Sequence, residues 1–248
     1  MRLLFSSRLR PIAAAALFVL AAGGRTPGQT PADPAAKPAE DRWARHWRER
    51  VESFRKDNAA LPADRLHAVF VGDSITEGFP LARFFPGKPV LNRGISADRI
   101  AEPAGRGVTA RLAESVFDCR PAVVFLLIGV NDLASSGKSP EDLARACGDL
   151  VRAMRTPPKG RAAWKVVLQT CLPVGRKYAR HATLTPRIVK YNEGLKEFAK
   201  AEKLPVVDLY ALYADAEGLL PDDLSNDGLH PRPDACAKWA DAVRAYVP

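Results

Sequence analysis

The sequence predicts an α/β fold, a mainly parallel sheet of about five strands covered on both faces by helices. Short apolar and β-branched runs recur at Ala68–Val71, Pro89–Leu91, Ala122–Ile128, Lys165–Thr170 and Pro205–Leu209. Amphipathic segments of helical period lie between them. Strands that alternate with helices are joined by right-handed crossovers, which lay successive strands parallel.

The elements follow in order. Arg2, Arg8 and Arg10 precede an apolar stretch of 11 residues, Ile12 to Ala22, and small residues close it, so residues 1–23 read as a secretory signal peptide and the protein is expected to be secreted or periplasmic. A membrane-spanning helix needs roughly 20 apolar residues, so stable membrane insertion is not expected. No cysteine follows the stretch, which argues against a lipoprotein. Residues 24–40 are rich in Pro and Ala, with Pro27, Pro31, Pro34 and Pro38 removing backbone donors, and predict a disordered linker. Trp43, Trp47, Val51 and Phe54 fall on one helical face, which predicts an amphipathic helix packed on the domain that spans residues 41–248.

Further on, Ser139-Pro140-Glu141-Asp142 supplies an N-cap, a first-turn proline and early acids for a helix lined by Leu143, Cys147, Leu150 and Met154. Thr185-Pro186 similarly opens a helix lined by Ile188, Tyr191, Leu195 and Phe198, and a last helix begins near Asp234. No internal repeat is visible. The 248 residues, 47% apolar, suffice for one domain with a substantial core. The formal charge is +9, or +6 once the three leading arginines are set aside. Its basic residues are interspersed with acids and no aromatic-basic motif occurs, so nucleic acid is not an expected partner. Cys119, Cys147, Cys171 and Cys236 are scattered, and each reads as a small buried hydrophobe.

In open parallel sheets, ligands bind beyond the carboxyl ends of the strands. Ser74 follows the first strand, Asn92-Arg93-Gly94-Ile95-Ser96 the second and Gly129-Val130-Asn131-Asp132 the third, while Asp227-Gly228-Leu229-His230 lies between the fifth strand and the last helix. A hydroxyl is a weak nucleophile at neutral pH and needs an imidazole to take its proton, with a third group to hold the ring. Ser74 is therefore the candidate nucleophile, His230 its base, and Asp227, three residues away, the carboxylate that orients the ring. Activity should fall on acidification as an imidazole base becomes charged, around pH 6 to 7 for an ordinary one. A reacting carbonyl also needs donors for its developing charge, and the N–H of Ser74, the N–H of Gly94 and the side-chain amide of Asn131 suit that oxyanion hole. Asp73 fits a local backbone hydrogen-bonding role.

Gly72-Asp73-Ser74, Gly94, Gly129-Val130-Asn131-Asp132 and Asp227-Gly228-Leu229-His230 resemble, in order and spacing, the four sequence blocks of the GDSL, or SGNH, hydrolases. The stretch from His67 to Val247 is similar to the subgroup of platelet-activating-factor acetylhydrolase-like secreted bacterial esterases, including Tyr191-Asn192-Glu193 and Val206-Val207-Asp208-Leu209-Tyr210. The resemblance implies a flavodoxin-like three-layer α/β/α fold and a cofactor-free and metal-free serine esterase. In it Ser74, Asp227 and His230 form the triad, and Ser74, Gly94 and Asn131 the oxyanion hole. Short segments between the blocks favour short-chain substrates such as O-acetyl esters of carbohydrates. A lysophospholipase-like lipid esterase, an acyltransferase and a non-catalytic carbohydrate-binding protein of the cell envelope are the alternatives.

Other readings compete at single positions. His181, in the loop after the fourth strand, is the rival base, while His46 and His67 lie where neither easily reaches Ser74. Arg176, Lys177 and Arg180 read as a solvated charged loop sooner than as contacts to an acidic substrate. A metal-dependent phosphodiesterase using Asp73, Asp227 and His230 lacks a richer cluster of ligands. Thr76 replaces the second glycine of a Gly-x-Ser-x-Gly elbow, and no dinucleotide fingerprint or phosphate loop occurs.

Overall fold

The computed structural model describes residues 41–248. The expected signal peptide and linker lie outside the described residues. Strands β1 (His67–Gly72), β2 (Val90–Gly94), β3 (Pro121–Leu127), β4 (Lys165–Gln169) and β5 (Val206–Val207) pair entirely in parallel, in the spatial order β2-β1-β3-β4-β5. This is the flavodoxin-like order, in which the direction of winding reverses between β1 and β3 and opens a crevice at their carboxyl ends.

The helices are α1 (Arg42–Ala59), α2 (Ser74–Glu77), α3 (Leu81–Phe84), α4 (Leu112–Ser115), α5 (Val130–Ser135), α6 (Pro140–Met154), α7 (His181–Ala201), α8 (Leu209–Tyr213) and α9 (Cys236–Val243). Because β1→β2 and β3→β4→β5 run in opposite directions across the sheet, right-handed crossovers send their helices to opposite faces. Accordingly α6 and α7 pack against each other, and α9 packs with α3 and α8. Every residue of β1 is buried, as a central strand covered on both sides requires. Phe70 of β1 stacks on Phe125 of β3 at 4.4 Å between ring centres, and Phe79 stacks on Trp239 of α9 at 4.2 Å.

Several boundaries depart from the expected ones for local reasons. β2 continues to Gly94, so Asn92, Arg93 and Gly94 pair with Phe70, Val71 and Gly72 and do not form a loop after the strand. α7 opens at His181 rather than at Thr185-Pro186, and Pro186 lies inside it. The first turn is closed by the Leu184 N–H on the Arg180 carbonyl at 2.9 Å before the proline is reached. β5 stops at Val207 because Asp208 caps α8, its carboxylate accepting the Ala211 N–H at 3.1 Å. The last helix starts at Cys236, two residues later than Asp234.

Of the remaining expectations, Trp43 does not join the packed face of α1, because it lies in the first turn, beyond the contact with Ile95, and is exposed; the following features fall in place. Ser139 accepts the Asp142 N–H at 3.0 Å and Pro140 is the first residue of α6. On α1, Val51 and Phe54 are buried against Ile95 with Trp47 beside them, so this helix packs on the segment that follows β2. All four cysteines are free and buried. Among the described residues no helix is long and apolar enough to cross a membrane.

Candidate active site

The strand-to-helix turn after β1 depends on the lack of a side chain at Gly72. A Cβ there would stand 2.2 Å from the Leu127 carbonyl oxygen and 2.2 Å from Thr76 Oγ1, so only glycine lets α2 begin at once. Asp73 is the N-cap: its Oδ1 accepts the Ile75 N–H at 3.0 Å, the local role its position predicts. Ser74 is then the first residue of α2, where a backbone N–H has no acceptor within the helix. Its side chain emerges half-buried at the β1/β3 crevice.

From 156 positions along the chain, His230 brings Nε2 to 2.8 Å from Ser74 Oγ. Nδ1 of the same ring lies 2.6 Å from Asp227 Oδ2, which assigns the ring proton to Nδ1 and leaves Nε2 to accept the serine hydroxyl. The other carboxylate oxygen of Asp227 accepts the N–H groups of Leu229 and His230, each at 2.9 Å. Burial pushes this carboxyl up, yet the His230 ring and these two N–H groups outweigh it and hold Asp227 well below the usual carboxylate range. A tight turn makes this possible. Gly228 sits at φ +75°, and a Cβ there would stand 2.6 Å from the Tyr178 nitrogen.

Ser225, which sequence reasoning missed, is wholly buried under that turn. Its hydroxyl lies 3.1 Å from Asp227 Oδ1 and 2.8 Å from the His230 carbonyl oxygen, and accepts the Gly228 N–H at 2.9 Å. A serine two residues before an aspartate carries no signal of this in sequence.

The expected oxyanion donors divide. The Asn131 amide donates one hydrogen to the Asp98 carbonyl at 3.0 Å, which fixes the side chain and leaves its second hydrogen free. Gly94 does not fit its expected role, because its N–H is already given to Asn92 Oδ1 at 2.9 Å. Its function is steric: a Cβ would stand 2.1 Å from the Glu77 nitrogen, so Gly94 lets α2 lie directly on β2. Three residues on, Ala97 has φ +64° and an N–H with no acceptor among the described residues. A non-glycine residue in the left-handed region is a costly local conformation of the kind that gathers at functional sites.

α1 reaches the site through Glu77, a contact the sequence reading did not foresee. Glu77 Oε2 accepts the N–H and the hydroxyl of Ser96, both at 2.6 Å. His46 Nε2 lies 3.1 Å from both carboxylate oxygens, and Arg50 Nε is 3.2 Å from Oε1. Burial raises this carboxyl's affinity for a proton, but Ser96, His46 and Arg50 prevail and keep it below the ordinary glutamate value. Arg50 also donates to the Gly94 carbonyl at 3.1 Å. As expected, His46 does not contact Ser74, but through Glu77 it contacts the helix that carries it.

Beneath the rim lies a buried ionic layer. Arg111, fully buried, pairs with Asp98 at 2.7 Å and donates to the carbonyls of Arg93 at 2.8 Å and Gly72 at 3.0 Å. It thus ties the ends of β1 and β2 to the residue after Ala97. Burial, opposed by the Ile75 N–H and reinforced by Asp98 and Asp132, pushes Asp73 up to about 7. Burial pushes Asp132 up to about 6, against the pull of the Ile100 N–H.

His181, the rival base, turns its Nδ1 to the Tyr178 carbonyl at 3.0 Å and has no contact with Ser74. His67 is buried at the opposite end of β1. In the charged loop, Arg176 pairs with Glu217, Lys177 with Asp222 at 3.7 Å, and Arg180 donates to the Ala134 carbonyl at 2.6 Å. Of the three residues offered as metal ligands, Asp73 is buried as a helix cap while Asp227 is exposed. Among the described residues no group of three or more His, Cys, Asp and Glu side chains is arranged to hold a metal. The Tyr191-Asn192 pair supports the crevice from α7. Tyr191 donates to the Ile128 carbonyl at 2.9 Å, and Asn192 exchanges two 2.9 Å hydrogen bonds with the backbone of Cys171.

Residues 70–237 match the GDSL-like lipase/acylhydrolase family. No curated protein matches the chain. Among solved structures, a Streptococcus pneumonia protein provisionally named a platelet activating factor is similar at 21% identity and a TM-score of 0.70, covering 82% of this chain and 94% of its own. A GDSL-like lipase from Bacteroides thetaiotaomicron is similar at 23% identity and a TM-score of 0.65, with coverage of 79% and 96%. A carbohydrate acetylesterase from Sinorhizobium meliloti is similar at 18% identity and a TM-score of 0.60, with coverage of 73% and 100%. At these identities the likeness is one of fold.

Proposed function

The chain belongs to the GDSL-like lipase/acylhydrolase family and is therefore an ester-bond hydrolase, and from that premise we propose a serine esterase in which Ser74 is the nucleophile, His230 the proton carrier and Asp227 its orienter. The observation that carries this reading is the continuous relay of Ser74 Oγ, His230 and Asp227 at 2.8 and 2.6 Å. Ser74 Oγ attacks the ester carbonyl carbon while its proton passes to His230 Nε2. Collapse of the tetrahedral adduct breaks the bond to the alcohol, which leaves with that proton. Water then gives a proton to His230 and attacks the acyl-enzyme, and the acid departs as Ser74 recovers its hydrogen. The negative oxygen of each adduct is met by the Ser74 N–H, the free hydrogen of Asn131 and the Ala97 N–H, the last in place of Gly94.

Short-chain esters, with O-acetyl groups on carbohydrates foremost, are the proposed substrates. The segments between the first three blocks are short, and the similar fold of a carbohydrate acetylesterase supports the same class. Export is proposed from the arginines and apolar run of the first 23 residues. Kinetics with acetyl, butyryl and octanoyl 4-nitrophenyl esters test the acyl preference: turnover should decline with chain length, and a preference for octanoyl would transfer the reading to a lipid esterase. A fluorophosphonate should label Ser74 in the wild type, as seen by mass spectrometry of the modified peptide, and labelling at any other residue would reassign the nucleophile.

A further inference from the structure

The loop that carries Ala97 is walled on its outer side by α1, an element that precedes the family-matched residues. The first turns of α1 present Trp43 and Trp47, which together with the N-cap Asp41, residues 96–99, Glu102 and Arg106 line a pocket of about 140 Å³. We propose that this pocket is a subsite for the sugar ring that bears the scissile ester, an inference that rests on the carbohydrate-ester reading and gives it a location.

Position is the first argument. Ala97, whose free N–H is the proposed oxyanion donor, lines the pocket, as does Ser96, which Glu77 of the nucleophile's helix holds, so the pocket shares the loop that faces Ser74. The lining is the second. Five of its nine residues are charged, and they are already ordered by ion pairs: Arg106 meets Glu102 at 2.8 Å and Asp41 at 3.6 Å. Fixed carboxylates and guanidinium groups can accept from and donate to hydroxyls, whereas an alkyl chain would strip water from them with nothing in return. The two indoles supply flat apolar area for the C–H face of a sugar. Trp43 is 39% exposed, one of the few large apolar side chains so exposed among the described residues, and the Arg42 guanidinium stacks at 4.2 Å on its ring. Trp47 Nε1 is buried without a hydrogen-bond partner. Rigidity is the third argument, because His46 and Arg50 lock α1 to Glu77 while Val51 and Phe54 pack it on Ile95, so the wall is held before any ligand arrives.

The test compares two substrates of the full-length enzyme, an O-acetylated xylo-oligosaccharide and 4-nitrophenyl acetate, which has no sugar. In Trp43→Ala the ratio of kcat/KM for the saccharide to kcat/KM for the nitrophenyl ester should fall about tenfold, chiefly through KM, and Trp43→Phe should restore most of it. An unchanged ratio in Trp43→Ala overturns the subsite and leaves the esterase standing. An equal loss on both substrates overturns it too, since that is the signature of a structural role. Wild-type enzyme that cleaves the nitrophenyl ester but not the acetylated saccharide removes the carbohydrate reading and the subsite together.

Discussion

One carboxylate oxygen of Glu77 holds Ser96 twice, by its N–H and by its hydroxyl, each at 2.6 Å. Glu77 shares a helix with Ser74, and Ser96 precedes Ala97, so this pair sets the distance between the nucleophile and the loop that faces it. Glu77→Ala should lower kcat for 4-nitrophenyl acetate by about ten- to a hundredfold with little change in KM, as expected when reacting groups are displaced slightly. Stopped assays at saturating substrate, beside a melting curve, would show it. A loss confined to Tm would assign Glu77 to stability alone.

The reassignment of the donor loop predicts opposite outcomes at two positions. Asn131→Ala should lower kcat by about a hundredfold or more. Ala97→Gly keeps the N–H and relieves the left-handed strain, so activity should persist while the protein gains roughly 1 kcal/mol or less. Urea denaturation and initial rates decide both.

For the relay, His230→Ala should nearly abolish turnover, and His181→Ala should leave it close to wild type. Asp227→Asn should lower kcat by several orders of magnitude by disturbing the ring's tautomer, about 10⁴-fold in the comparable serine protease case. Since Asp227 is held as a carboxylate far into the acid range, the acid limb of the rate profile should not follow its protonation. A turnover-deficient His181→Ala with an active His230→Ala would exchange their roles.

Asp73 predicts a pH-dependent stability. Its carboxyl is raised from 3.8 to about 7 in the fold, so the neutral form is favoured there. Its contribution is fully present below about pH 4 and is lost as the pH rises through 7. Asp73→Asn retains an oxygen for the Ile75 N–H but cannot ionise. The variant should therefore unfold at higher denaturant than the wild type at pH 8, by up to roughly 4 kcal/mol, with the difference shrinking towards pH 4. A difference that grows on acidification would contradict this.

Much of the site was legible because its signals are local. Ser74 follows a buried run, Asp227 and His230 share one turn, and Asn131 follows the central strand, so knowing the strands places all four at one rim. What was hidden depends on side chains meeting across the fold. Nothing in Asn92-Arg93-Gly94 announces that Asn92 takes the Gly94 N–H or that α2 lies against that glycine. His46 and Glu77 are 31 positions apart, and α1 was readable as an amphipathic helix but not as a wall of the crevice. The α7 start was misplaced because Thr185-Pro186 looks like a helix opening, whereas Arg180 supplies an earlier one.

Gly72 and Gly94 bracket α2 so tightly that neither tolerates even one added methyl. The backbone that carries the reactive serine is thereby wedged between two strands by main-chain packing, before any side chain refines it. Selectivity can consequently be retuned at the first turn of α1 and in the stretch from Arg99 to Arg106, so a designer seeking new alcohols should diversify those outer pieces and leave Ala97, Asp98 and both glycines untouched.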